Sequence, residues 1–161
     1  SSKQAAKWRA MGEEAFSERR LDDAVQYYSQ AAEAEPQVAR NHYLLFRVRH
    51  RQRKLADALR DIANAVQVDP THKEYRAQKA KLLVALGQCD EAVAEYEMLS
   101  QQELEQQQEL NEEVAYVEIS GMHEAQECAD QIANALEAYS DENWHEAIGH
   151  FQEAFNHISQ A

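Results

Sequence analysis

Five side chains of this sequence are spaced to hold an anion together. Arg40, Tyr43, Arg47, His50 and Arg51 recur at three- and four-residue steps, which line up one face of an α-helix. Guanidinium forks pair bidentately with carboxylate or phosphate. Arg49, Arg53 and Lys54 add charge around that face, in a chain of net charge −13. The competing reading is a solvated helix face neutralised by Glu13 and Glu14. Phe16, Tyr43, Ala77, Val84 and Ala85 could form an apolar strip for an unfolded segment, although burial is the default for such residues. Arg9 and Lys81 complete the candidate binding set.

Other chemistry is weaker. His145 and His150 resemble the histidines of a zinc-protease helix but stand five residues apart. On a helix they point about 140° apart, so they cannot share a metal. Cys89 and Cys128 form no metal-like pair, read as ordinary packing residues, and suit a reducing or an oxidising compartment equally. The sequence has no Gly-rich phosphate loop, no nucleophile elbow and no carboxylate pair with a pocket. The expectation is a protein that is not an enzyme, with no catalytic residue, cofactor or metal.

The elements that must position these residues are helices. Only 4 Gly and 2 Pro interrupt a chain rich in Ala, Glu and Gln, all good or fair helix formers. No apolar run approaches the roughly 20 residues of a membrane span. The acidic excess argues against nucleic acid, which needs a cationic face. Ser1-Ser2 looks like a cut end, so a removed targeting segment is compatible with the sequence.

Self-similarity organises the helices. The stretches beginning Leu21-Asp-Asp-Ala24, Leu55-Ala-Asp-Ala58 and Cys89-Asp-Glu-Ala92 align, and their alanines lie 34 residues apart. A fourth copy, Trp144-His-Glu-Ala147, follows Ala92 by one period plus 21 residues. Trp8, Met11 and Gly12 fill the large-x-x-large-small positions of a first helix, and Tyr28, Ala31 and Pro36 those of a second. Pro70 repeats Pro36 after 34 residues. This pattern resembles the tetratricopeptide repeat (TPR), a 34-residue pair of helices A and B. The resemblance implies an all-α solenoid of antiparallel helix pairs, binding a polypeptide in a groove lined by helix A. The small residues predict close crossings, with Gly12 against Ala24.

Helices are expected near 4–18, 21–35, 38–52, 55–69, 72–86 and 89–99. They give three repeats at about 5–36, 39–70 and 73–102. Ser100 with Glu103 has capping-box spacing, so a new elongated linker helix is expected over 103–121. It would run on past a kink at Gly121 to about Tyr139 as helix A of a fourth repeat, 122–161. The final helix is expected over 142–158, capped by Ser140 or Asp141. Leu104, Leu110, Val114, Val117 and Gly121 partly follow coiled-coil spacing, which supports an alternative role as a scaffold subunit pairing with another protein. Repeat arrays close with a covering helix. None follows here, so the array is expected to continue beyond residue 161.

Three repeats followed by a long helix resemble the N-terminal TPR region of the endoplasmic-reticulum J-domain co-chaperones, the inhibitors of the interferon-induced protein kinase. Gly87-Gln-Cys-Asp-Glu-Ala92, the Glu/Gln-rich stretch from Glu103, and Ala133-Asn-Ala-Leu136 before Trp144 carry this resemblance. It implies binding of misfolded client polypeptides, an indirect link to Hsp70, and the endoplasmic-reticulum lumen; without it the cytoplasm is the expectation. The other familiar TPR function, a carboxylate clamp for Hsp70 or Hsp90 tails, is not expected. The clamp positions fall on Arg9, Glu13, Leu44, Glu74 and Gln78, where two carboxylates would repel the ligand.

Overall fold

The computed structural model describes residues 2–110, 117 and 119–161. Those residues form eight α-helices and no strand: α1 Ser2–Ser17, α2 Leu21–Ala34, α3 Ala39–Arg51, α4 Leu55–Val68, α5 Lys73–Ala85, α6 Cys89–Glu109, α7 Met122–Ser140 and α8 Trp144–Ser159. The chain divides into two compact units, one ending at Tyr75 and the other starting at Arg76.

The repeat is written in the turns as well as in the alanines. Three residues separate α1 from α2, α3 from α4, α5 from α6 and α7 from α8. The middle residue of each turn is left-handed: Arg19 at φ 61°, Arg53 at 63°, Gly87 at 76° and Glu142 at 59°. Each following N–H then reaches back five residues. Arg20 N donates to Ala15 O at 2.8 Å, Lys54 to Arg49 at 3.0 Å, Gln88 to Leu83 at 2.8 Å and Asn143 to Ala138 at 2.8 Å. This is the Schellman closure, which satisfies carbonyls left free at a helix end. Three of the four left-handed positions are not glycine, so each repays about 1 kcal/mol of backbone strain through those bonds.

Small residues let the helices approach. Ala15, Ala24 and Ala31 in the first unit, and Ala92, Ala125 and Ala135 in the second, are fully covered. The close neighbour of Gly12 is the ring of Tyr28 rather than Ala24: a Cβ on Gly12 would lie 2.4 Å from Tyr28 Cε1. Tyr28, Leu44, Leu45 and Val48 then close the first core, with Leu21, Val25 and Ala32 packed against it. Gly12→Ala is expected to cost about 1–3 kcal/mol by overpacking. Urea unfolding checks this, and Gly12→Ala/Tyr28→Leu should recover most of the loss.

The first five helices end within two residues of expectation. The sixth does not. Instead of stopping at 99, α6 runs through Ser100 to Glu109. The Ser100–Glu103 capping box is therefore absent, and the Ser100 hydroxyl donates to Val117 O at 3.4 Å. The Ala/Glu/Gln-rich sequence from Ala94 to Glu109 carries no breaker, so propagation wins over a local cap. The elongated element is thus helix B of the third pair. Nor does a helix span 103–121: Val117, Ile119 and Ser120 are non-helical, and 111–116 and 118 lie outside the described residues. A helical seam through Leu110, Val117 and Gly121 does not exist, and Val114 is outside the described residues.

A new helix starts at Met122 because Gly121 adopts φ 90°. A Cβ there would lie 2.5 Å from Tyr96 Oη as well, so both backbone and space demand glycine. The cap of α8 is Asn143, not Ser140 or Asp141. Its side chain accepts from Glu146 N and donates to Glu146 Oε2 at 2.7 Å. Cys89 and Cys128 are joined by a disulfide, with Cα atoms 5.9 Å apart, tying the start of α6 to α7. The reading of both as ordinary packing residues is corrected: the fold brings them together across 39 residues of sequence.

Candidate functional site

In the first unit α1 and α3 supply helix A faces. Helical spacing sets Arg40, Tyr43, Arg47 and Arg51 in one row on α3. The Arg47 guanidinium carbon lies 4.8 Å from the centre of the Phe16 ring on α1, a cation–π distance. Arg47 also faces Glu13 at 3.9 Å, and the same Glu13 oxygen accepts from Tyr28 Oη at 2.9 Å. Burial and that carboxylate push the Tyr28 phenol above its ordinary range, so it stays a neutral donor that orients Glu13.

Tyr43 stacks on Tyr75 at 4.9 Å and tilts against Phe46, which in turn meets His50 at 5.6 Å. Arg40 and Arg51 are exposed. Arg40 forms no ion pair with any described residue. Arg51 lines a shallow cavity of about 320 Å³ with Phe16, Ser17, Arg19 and Leu21. The arrangement is an aromatic row with free guanidinium forks beside it. It can take an extended segment carrying apolar or aromatic side chains next to carboxylates.

Other candidates fall elsewhere. Arg9 turns inward: its Nη1 donates to Glu35 Oε2 at 2.7 Å and Asn41 Oδ1 at 3.1 Å. Asn41, fully buried, donates to the carbonyls of Ala31 and Glu35. This network ties α1, α2 and α3 together, and the hydrogen bond from Arg9 holds the Glu35 carboxyl below its ordinary pKa. Arg9 is therefore a structural cation here. Lys81 and Val84 belong to the second unit, where they line a cavity of about 630 Å³ with Tyr96, Gly121, Met122 and His157. Lys81 is exposed, but Val84 is only 4 % exposed, so it packs rather than joining an open apolar strip. At the clamp positions Leu44 is buried in the first core, and Arg9 is already engaged. His150 meets Gln131 at 2.7 Å and Glu146 at 3.5 Å.

Sequence reasoning missed Asn41 and Glu35. Their signal was only a polar residue inside the apolar register of α3 and a carboxylate beside Pro36. It also missed Arg49 with Asp61, whose carboxylate accepts from Arg49 Nη1 at 2.9 and 3.0 Å on a buried face of α4.

The paired helices, their 34-residue period and the shared turn geometry give this chain the tetratricopeptide-repeat fold, an all-α helical-repeat solenoid. No protein-family model matches the sequence. DnaJ homolog subfamily C member 7 of Homo sapiens is 31 % identical over 96 residues, which is 57 % of this chain and 19 % of that protein. Among solved structures, the P58(IPK) TPR domain superposes with a TM-score of 0.73 at 20 % identity, covering 94 % of this chain and 41 % of that one. The first TPR of Spaghetti (RPAP3), bound to an HSP90 peptide, gives 0.57 at 22 % identity over 62 % of this chain and 79 % of that one. The TPR2B domain of yeast Sti1, in a complex with pHsp70, gives 0.57 at 17 % identity over 91 % and 97 %. The structural likenesses establish the fold. The chain thus spans under half of the P58(IPK) TPR-domain chain and about a fifth of the DnaJ homolog.

Proposed function

We propose that this chain holds an extended polypeptide on the α1–α3 face of its first unit, as the client-binding part of an Hsp70 co-chaperone. The observation that carries the reading is the row of Phe16 under Arg47 with Tyr43 alongside, next to the unpaired Arg40. Aromatic faces supply sequence-tolerant contact area, and the guanidinium forks supply charge-assisted hydrogen bonds. Both suit unfolded segments, which expose apolar side chains and free carboxylates together.

The likeness to a DnaJ homolog and to TPR domains solved with HSP90 and pHsp70 partners supports a chaperone setting. The clamp positions do not favour capture of a chaperone tail. The buried Cys89–Cys128 disulfide favours an oxidising compartment such as the endoplasmic-reticulum lumen.

Size-exclusion chromatography with light scattering tests this, using a reduced, denatured model client. The chain is expected to elute as a monomer that carries the client with it. Arg40→Glu/Arg47→Glu should weaken capture at least tenfold, about 1.4 kcal/mol, without unfolding the chain, because both side chains are at the surface. Capture unchanged in that variant, or a stable dimer that ignores the client, overturns the reading.

A further inference from the structure

Arginine stands twice in the first unit where a helix end favours glycine. Arg19, between α1 and α2, and Arg53, between α3 and α4, hold left-handed φ values of 61° and 63°. Gly87 takes the matching position between α5 and α6 at 76°, where the conformation meets no side-chain penalty. Backbone geometry therefore does not call for arginine at either turn. A residue held in a disfavoured conformation points to a use for its side chain.

Both arginines are exposed, as are Arg51 and Lys54, and none of the four forms an ion pair with a described residue. The nearby carboxylates are already engaged. Glu18 and Asp23 hold Arg20, Asp22 accepts from Gln52 Nε2 at 2.8 Å, and Glu13 faces Arg47. The Gln52–Asp22 bond also fixes the α3–α4 turn beside the start of α2, so the four cations share one edge of the unit. On that edge Arg19 and Arg51 line the cavity of about 320 Å³ whose apolar lining is Phe16 and Leu21. Such a cavity seats one apolar side chain between two guanidinium forks.

Charge selects the occupant. Residues 1–75 carry 13 Lys and Arg against 11 Asp and Glu, whereas residues 76–161 carry 3 against 18. Free cations on one edge attract a short anionic segment locally. A membrane or a nucleic acid is an extended polyanion, and it repels a chain of net charge −13 as a whole. We propose that the turn edge of Arg19, Arg51, Arg53 and Lys54 binds an acidic segment of a partner polypeptide, with one apolar side chain of that segment seated against Phe16 and Leu21. The carboxylates of the segment meet the guanidinium forks in charge-assisted hydrogen bonds. Only Phe16 is shared with the row proposed for unfolded clients, so this site does not depend on that reading.

Fluorescence anisotropy of a labelled peptide, Asp-Asp-Glu-Phe-Glu-Asp-Asp, follows binding to the full chain with its disulfide intact. In a second peptide serine replaces the phenylalanine, and in a third asparagine and glutamine replace the acids. The first is expected to bind, and the other two to bind about tenfold more weakly. Arg19→Gly/Arg53→Gly should weaken the first peptide by about tenfold as well. The urea midpoint of that variant should hold or rise, because glycine relieves both left-handed turns, so lost binding cannot be lost folding. Its capture of a reduced, denatured client should persist, since neither arginine belongs to the client row. Unchanged binding of the first peptide by the variant overturns the proposal. So does equal binding of the serine peptide, which leaves only general attraction between opposite charges. Loss of client capture together with the peptide would merge the edge with the client row and also overturn a separate site. Vesicles of phosphatidylcholine and phosphatidylserine that retain the native chain but not the variant would assign the edge to a membrane instead.

Discussion

Reduction of the Cys89–Cys128 bridge is expected to lower the stability of the second unit by about 4 kcal/mol at 25 °C. A cross-link removes loop-closure entropy from the unfolded chain, by an amount that grows slowly with loop length. With the cysteines 39 positions apart in sequence, the chain-entropy relation gives about 4 kcal/mol. The folded state should change little, because both cysteines are fully covered or nearly so and two thiols fill almost the same space. The effect is large against a typical domain stability of about 5–15 kcal/mol. Its site matters as well. Eleven residues intervene between Leu110 and Met122, whereas the other connections after α1 through α7 are much shorter. The bridge ties α7 to the start of α6 across that long connection. In a Trp8→Phe background, Trp144 reports the second unit alone. Its urea midpoint should fall by about 2 M on reduction, given a slope of about 2 kcal/mol per molar. A shift under about 0.3 M would show that the reduced unfolded chain is already as constrained as the oxidised one.

The parts of the fold that depend on neighbours in sequence were legible. Ala24, Ala58 and Ala92 mark helix crossings because nothing larger fits, and Pro36 and Pro70 mark helix exits because proline cannot continue a helix. Both signals act within one or two turns, so the first five helices were placed closely. The left-handed turn positions follow the same period, yet Arg19, Arg53 and Glu142 are not the residue types that announce such a conformation. Ser100 misled because a capping box and a helix interior can share the same residues. What separates them is the conformation of the preceding turn, and that is set by packing of α6 rather than by Ser100 and Glu103. The disulfide was illegible because a 39-residue spacing is compatible with any distance between two sulfurs.

The candidate site divides along the same line. Arg40, Tyr43, Arg47 and Arg51 share a face because one helix carries them, and helical spacing alone secures that. Arg9 left the set because Glu35 and Asn41 come to it from other helices. Val84 left it because its side of α5 is covered in the second unit. The face of a helix is a property of its sequence, whereas what lies against that face belongs to the tertiary fold.

Arg49→Met should cost the first unit about 3 kcal/mol at pH 7, and the loss should shrink as the solution is acidified. Asp61 is 4 % exposed and accepts both of its close hydrogen bonds from Arg49 Nη1. Removing one partner of a buried pair leaves the other charge without compensation, at a cost of about 3–5 kcal/mol. The lower end applies because Arg49 is partly in solvent. Burial already raises the Asp61 carboxyl above its ordinary value. Arg49 and His42 oppose that rise and Asp57 adds to it. A carboxyl whose folded pKa exceeds its unfolded one binds more protons when folded, so it gains stability as pH falls through the folded value. Without Arg49 that value climbs further, and the variant recovers more than the native chain does between neutral and acid pH. Urea midpoints at pH 7 and pH 5 should therefore converge. Asp61→Asn added to Arg49→Met should restore most of the stability at pH 7, since a neutral amide has no charge to strand. A penalty that is the same at both pH values and survives the Asp61→Asn change would mean that Arg49 acts through the packing of its alkyl chain and not through its charge.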